Sequence, residues 1–281
     1  MYKIFFDGHF IYASHDTQES LSPGRLPGQG VFETLRLYDG KIFALSFHLR
    51  RLGAGLKKLR IPFSFSYKDL EKDIHRTVCL NKLKNARVRV TVWRVRKKTH
   101  VAIVAVAYRP YAASRYKKGF KVCFSSVRCP FREGYGNVKS IRYKPFLAAY
   151  ERALRQGYDE VILLNKKNIV EGSRTNIFLV KNRQLLTPAL SSGCLNGITR
   201  QIIFKLAKKT GIRVREARLQ PQDLEQAEEA FLTNSLIEIM PLTFVQRQPI
   251  ANGQPGPVTR QLRALYAREV GKFLMPGIDG E

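Results

Sequence analysis

Short apolar runs separated by glycine, proline and polar turns extend along the whole chain, and their period switches between two and about 3.6 residues. The opening MYKIFFDGHFIYAS reads as a hairpin turned at Asp7-Gly8. A loop rich in proline and glycine, Leu21 to Gly30, leads into the alternating strand VFETLRLY. Val31, Glu33, Leu35 and Leu37 fall on one face of that strand, and Phe32, Thr34 and Arg36 on the other. Asp39-Gly40 turns the chain back through Lys41-Ile42-Phe43.

Helical spacing follows from Ser46 to Arg60, with Ser46 as N-cap and Leu49, Leu52, Leu56 and Leu59 as the apolar stripe. A second helix is predicted over Tyr67 to Lys82, then strands over Arg87 to Trp93 and Val101 to Tyr108. Residues 111–118 read as a polar linker. Beyond it, Pro145 opens a helix closed by Gly157. A strand at Val161 to Leu164, a turn carrying Glu171 and a strand at Ile177 to Val180 come next. Leu185 to Pro188 ends a strand, and Leu195 to Arg200 opens a helix stopped by Gly211. Glu229 to Leu242 reads as a strand entering a turn and short helix, and an amphipathic helix closes the chain. The pattern predicts an α/β (α+β) protein with a smaller domain over 1–110, the linker, and a larger domain over 119–281.

At 281 residues and 44% hydrophobic content, each domain can bury a core. No window approaches the roughly 18 apolar residues of a membrane helix. The N-terminal apolar run is too short for a secretory signal, so a cytoplasmic protein is expected. Cys79, Cys123, Cys129 and Cys194 form no C-x-x-C pair, and with the five histidines they show no metal-type spacing. They are expected to be reduced thiols packed in cores.

The net charge of +27 raises nucleic-acid or anionic-membrane contact as a question. The basic residues are dispersed, and no DNA- or RNA-binding motif accompanies them. Such a field also draws in a small anionic substrate.

The stretch from Asn137 to Val180 carries K-S-x-x-Y before a helix, then G-x-D-E-x-x-x-L-N and V-E-G-S-x-x-N-I-F. It resembles the class IV pyridoxal-phosphate enzymes: branched-chain aminotransferases, D-amino-acid aminotransferases and 4-amino-4-deoxychorismate lyases. The resemblance implies fold type IV, with pyridoxal 5'-phosphate in a cleft between two domains, and a homodimer. It makes Lys139 the lysine bonded to the cofactor and Glu171 the partner of the pyridine nitrogen. Tyr143 lies near the tyrosine that some members place by the cofactor hydroxyl.

G-V-F-E-T-L-R-x-Y-D-G-K-I-F is similar to the family's active-site strand, which puts Phe32 beside the substrate. It places Thr34 where the lyases carry a threonine thought to assist elimination. H-L-R-R-L resembles H-x-x-R-L, making Arg51 the phosphate-binding arginine. L-N-G-I-T-R resembles the turn that holds the phosphate through Ile198 and Thr199, and Ser235 matches a position adding a hydroxyl. Arg94 falls near the arginine that in relatives meets the substrate carboxylate, although Val95 stands where a glycine is usual. T-N-S-L-x-x-x-M-P and G-x-P-G-P-V-T-R-x-L resemble the lyases most.

The resulting expectation is a lyase converting 4-amino-4-deoxychorismate to 4-aminobenzoate and pyruvate. The alternative is an aminotransferase acting on branched-chain L-amino acids or D-amino acids with 2-oxoglutarate. A basic nucleic-acid-binding protein stands third.

Overall fold

A computed structural model describes residues 1–125 and 137–275. The chain divides into two compact units, residues 1–109 with 138–144, and residues 110–137 with 145–281. Lys139 therefore belongs with the first unit, not with the C-terminal domain that the sequence pattern suggests for it.

In the first unit, strands β1 (Tyr2–Phe6) and β2 (His9–Ala13) form the expected hairpin. Asp7 and Gly8 both have positive φ, as a two-residue turn matched to strand twist requires. A short helix α1 (His15–Ser20) follows, then β3 (Gln29–Tyr38) and β4 (Lys41–Ile42). Helices α2 (Leu45–Lys58) and α3 (Tyr67–Leu80) precede the long antiparallel pair β5 (Ala86–Val95) and β6 (Lys98–Ala107). The sheet order is β2-β1-β6-β5-β3-β4.

The two long helices cover one face of this sheet. Leu49, Leu52 and Leu56 of α2 and Leu70, Ile74 and Val78 of α3 pack with Val31, Leu35, Leu37, Val88, Val90 and Val92. Ser66 caps α3, accepting the Asp69 N–H at 3.1 Å. Ser46 does not cap α2. The cap position falls two residues earlier, at Ala44, which is in the left-handed region at φ 57° and makes no side-chain cap.

The glycines of the loop before β3 have a steric task. Gly28 has φ +80°, and a Cβ there would lie 2.2 Å from the Arg94 carbonyl oxygen. At Gly30 a Cβ would lie 2.4 Å from the Cβ of Trp93 and 2.5 Å from the Val92 oxygen. Backbone must move to admit it, so Gly30→Ala should cost about 2 kcal/mol or more, read from urea midpoints.

The second unit begins with helix α4 (Ala113–Lys118), which occupies the stretch read as a linker. It is helical because Tyr116 is buried, its hydroxyl donating to the Ile237 carbonyl at 3.2 Å. Then come β7 (Phe120–Phe124), α5 (Lys144–Arg155), β8 (Glu160–Asn165), β9 (Asn168–Gly172), β10 (Asn176–Lys181) and β11 (Gln184–Pro188). The remainder is α6 (Ile198–Lys209), β12 (Val214–Ala217), α7 (Pro221–Glu225), β13 (Glu229–Asn234), β14 (Glu238–Val245), β15 (Gln248–Pro249) and α8 (Pro257–Leu274). The sheet runs β12-β11-β10-β13-β14-β7-β8-β9, with β15 on β14.

Two sequence expectations change here. Glu171 lies in strand β9, paired opposite Leu163, because the turn is completed at Lys166-Lys167 and leaves the following residues extended. The segment after the Asn234 turn is β14 rather than a short helix, with Pro241 opposite Phe231. No helix among the described residues is long and apolar enough to cross a membrane. Cys79, Cys123 and Cys194 are free thiols; Cys123 and Cys194 are buried as expected, Cys79 is exposed instead, near the end of α3, and Cys129 lies outside the described residues.

Candidate active site

Strand β3 organises the chemistry of the first unit, and the Lys139 segment is bonded to it. The Phe32 N–H donates to the Lys139 carbonyl at 2.9 Å, and the Ile141 N–H to the Gly30 carbonyl at 3.0 Å. The Lys139 side chain lies across the Phe32 ring, Nζ 4.5 Å from its centroid. Tyr143 is buried and meets the same ring edge-on at 5.3 Å. Lys139, Tyr143 and Phe32 are thus brought together.

The opposite face of β3 carries a carboxylate amid core positions. Glu33 is 1% exposed and accepts from Arg51 through Nε at 2.8 Å and Nη2 at 2.7 Å. His48 Nδ1 lies 2.8 Å from the same carboxylate. His48 and Arg51 are three apart on α2 and so share its β3-facing side. Burial alone would raise the Glu33 pKa, but the Arg51 charge and the hydrogen bonds from Arg51 and His48 outweigh it and hold the carboxyl down at about 2. Burial pulls His48 down, so its ring is neutral at neutral pH and donates Nδ1–H to the ionised Glu33.

A carboxyl with a depressed folded pKa stabilises the fold above its ordinary value, and that contribution is lost as pH falls from 4.5 toward 2. It amounts to about 3 kcal/mol at neutral pH. Urea stability of the protein should therefore fall steeply across that window, and less steeply in Glu33→Gln.

Strand register decides which other side chains share the Lys139 side. Directly paired residues lie on one face, and Phe32, Thr34 and Arg36 pair with Thr91, Arg89 and Arg87. Arg94 pairs with Gln29, two residues from the Val31–Val92 pair, and so falls on the helix-covered side, its Nε without a partner. The expectations for Phe32 and Thr34 converge on one face, and that for Arg94 does not join them.

The sequence reading placed Arg36 on the Phe32 face without giving it a role, and it did not single out Arg87 or Arg89. Arg36 is 4% exposed and lies between the rings of Tyr38 and Tyr108, its guanidinium carbon 4.8 and 4.1 Å from their centroids. Arg89 is buried and donates to the Gln18 carbonyl at 3.2 Å. Burial, with the neighbouring Arg87 charge, pulls the Arg89 guanidinium down to about 10. Nε of Arg89, Nε and Nη1 of Arg36 and Nε2 of Gln18 are buried donors without acceptors. The signal was present in the sequence, since Arg87 and Arg89 alternate with the core residues Val88 and Val90.

In the second unit, Glu171 is buried on β9 and accepts the Leu195 N–H at 2.9 Å and the Asn176 side-chain amide at 3.4 Å. The same amide donates to the Leu195 carbonyl at 2.8 Å. Gly197 precedes α6, where a Cβ would displace the Asn176 side-chain amide. Ile198 and Thr199 are the first residues of α6, whose leading N–H groups and dipole favour an anion. Ser235 lies in the turn between β13 and β14, beside Asn234, whose Oδ1 accepts the N–H groups of Leu236 and Ile237 at 2.8 and 2.9 Å. The buried hydroxyl of Thr233, on β13 just before this turn, has no partner.

These donors fit a phosphorylated pyridine aldehyde. The first unit carries an amine in Lys139 and a guanidinium in Arg51, and the second a helix start at Ile198 and a buried carboxylate in Glu171. These are the types of group that a pyridoxal-phosphate enzyme uses.

Similarity to known proteins agrees. The family model described as Amino-transferase class IV matches residues 30–245. A Methanocaldococcus jannaschii protein provisionally named as a branched-chain-amino-acid aminotransferase is 34% identical over 276 residues, 94% of this chain and 95% of that one. A D-alanine aminotransferase of Listeria monocytogenes is 29% identical over 284 residues, covering 95% and 96%. The aminodeoxychorismate lyase of Bacillus subtilis is 30% identical over 291 residues, covering 96% of both. Among solved structures, the T.th. branched-chain amino acid aminotransferase with pyridoxamine 5'-phosphate superposes with a TM-score of 0.87 at 28% identity, over 96% of this chain and 94% of that one.

The chain belongs to the class IV aminotransferase family. It is an enzyme, and its cofactor is pyridoxal 5'-phosphate.

Proposed function

We propose that this chain is an aminotransferase, moving an amino group from an amino acid to a 2-oxo acid. The sequence motifs taken alone favour the lyase. The observation that carries the present reading is end-to-end similarity to aminotransferases in both sequence and structure.

When bound, pyridoxal 5'-phosphate supplies an electron-withdrawing ring that stabilises negative charge at the substrate Cα. Lys139 would bond it and, as a free amine, would hold and return a proton at the substrate Cα. Glu171 would keep its ring nitrogen protonated. Arg51, the amides of Ile198 and Thr199 and the Ser235 hydroxyl would hold its phosphate, and Tyr143 would serve its ring hydroxyl. Phe32 and Thr34 border the substrate. The buried arginines Arg36 and Arg89, with unsatisfied donors on the Phe32 side of β3, support an anionic substrate. Arg94, on the helix-covered side, is the weaker candidate for a substrate carboxylate.

The test is a pair of half-reactions. An amino acid alone should change the cofactor's absorption, and a 2-oxo acid should restore it. L- and D-amino acids, branched and dicarboxylic, are screened with 2-oxoglutarate.

Thr34 on the Phe32 face and the Asn234-Ser235 turn keep the lyase as a second reading, supported by the Bacillus subtilis relative. Aminobenzoate fluorescence from 4-amino-4-deoxychorismate without any oxo acid, together with no half-reaction from any amino acid, would replace the first reading by the second.

A further inference from the structure

The carboxylate of Glu33 sits where an apolar side chain would be expected. Its neighbours on the same face of β3, Val31, Leu35 and Leu37, are 2%, 0% and 0% exposed and belong to the core. Burying a charge there costs free energy that an ion pair offsets only with full hydrogen bonding. The pair with Arg51 has that quality: both carboxylate oxygens are met by one edge of the guanidinium, and His48 supplies a third hydrogen bond. Arg51 is 16% exposed against 1% for Glu33, so the pair runs from the core outward.

A guanidinium is planar and rigid. Once its Nε and Nη2 edge is fixed on Glu33, the direction of the other edge is fixed too. An arginine without this clamp would sample several rotamers and lose that freedom on meeting an anion.

We propose that Glu33 is a positioning residue for the cofactor, aiming the outer edge of Arg51 at the phosphate before the cofactor arrives. This rests on the reading of Arg51 as a phosphate ligand. His48 anchors the carboxylate from the helix side. The Lys139 charge contributes to the lowered pKa of His48, so the clamp lies within electrostatic reach of the reactive amine. The inference adds a second role for the strand: one face presents Phe32 and Thr34, and the other presets the phosphate anchor.

Titrations of cofactor-stripped protein with pyridoxal 5'-phosphate and with pyridoxal, followed by absorbance, test it. The ratio of the two affinities reports the phosphate contact alone, and a general loosening of the fold does not move it. Glu33→Gln should lower the affinity for pyridoxal 5'-phosphate on the order of tenfold and leave that for pyridoxal unchanged. Equal losses for both, or no loss for either, overturn the proposal. Arg51→Gln separates the two levels of the argument. If it leaves the ratio at the wild-type value, Arg51 does not hold the phosphate and the underlying reading fails. If it collapses the ratio and Glu33→Gln does not, the positioning role alone fails. Should Glu33→Gln not fold, Glu33→Asp retracts the charge by one methylene and must shift the same ratio; an unchanged ratio overturns the proposal.

Discussion

Lys139→Ala should abolish turnover, by at least about a thousandfold, the scale of lost proton transfer alone, before the missing bond to the cofactor is counted. The fold should survive. It is the backbone of Lys139, not its side chain, that pairs with β3, through the Phe32 N–H. The side chain is part-exposed, and truncating it leaves the edge-on packing of Phe32 on Tyr143 in place. Turnover, the absorption band of bound cofactor and the urea midpoint should be measured on the same preparation. Loss of the first two with an unchanged midpoint is the expected pattern. Wild-type turnover would remove Lys139 from the chemistry altogether.

Glu171→Gln should lower kcat about a hundredfold at saturating pyridoxal 5'-phosphate, the scale seen when one preorganised electrostatic partner is lost. The substitution keeps shape and an acceptor oxygen for the Leu195 N–H, so stability should change little. On the proposed reading it removes the negative charge that would keep the cofactor's ring nitrogen protonated, as electron withdrawal from the substrate requires. If kcat stays at the wild-type level, Glu171 is a structural acceptor for the turn before α6 and nothing more. Glu229 sets a precedent for that lesser role in the same unit: it is buried, and both its oxygens are taken by the N–H groups of Val258 and Thr259 at the start of α8.

Local rules carried much of this fold. Asp7-Gly8 and Asp39-Gly40 adopt the left-handed conformations that a tight hairpin demands, and only a few residue pairs do so easily. The leucine stripe of α2 reads correctly because its spacing is that of the helix itself. The errors arise where tertiary partners override local chemistry. Ser46 has an N-cap's identity, but Ala44 already occupies the cap position. Residues 113–118 have a linker's polarity, but Tyr116 anchors them as a helix.

The candidate site divides in the same way. The shared face of Phe32 and Thr34 is legible from strand alternation, whereas Lys139 is singled out by the family resemblance alone. Arg36 falls on the Phe32 face already in the sequence pattern, but neither it nor Arg89 stands out as a site candidate among 49 basic residues until the structure shows both buried. The +27 charge itself has no counterpart in the described geometry of the site.

The Lys139 segment also has a bearing on the order in which the protein is made. Residues 1–109 leave the ribosome first, yet their strand β3 lacks part of its edge until residues 138–144 follow. Until then the Gly30 carbonyl and Phe32 N–H form an open strand edge, the kind that invites pairing with another chain. The peptide that closes this edge is the one that carries Lys139, the amine proposed to bond the cofactor. Completing the fold of the first unit and delivering its lysine are therefore a single event in synthesis.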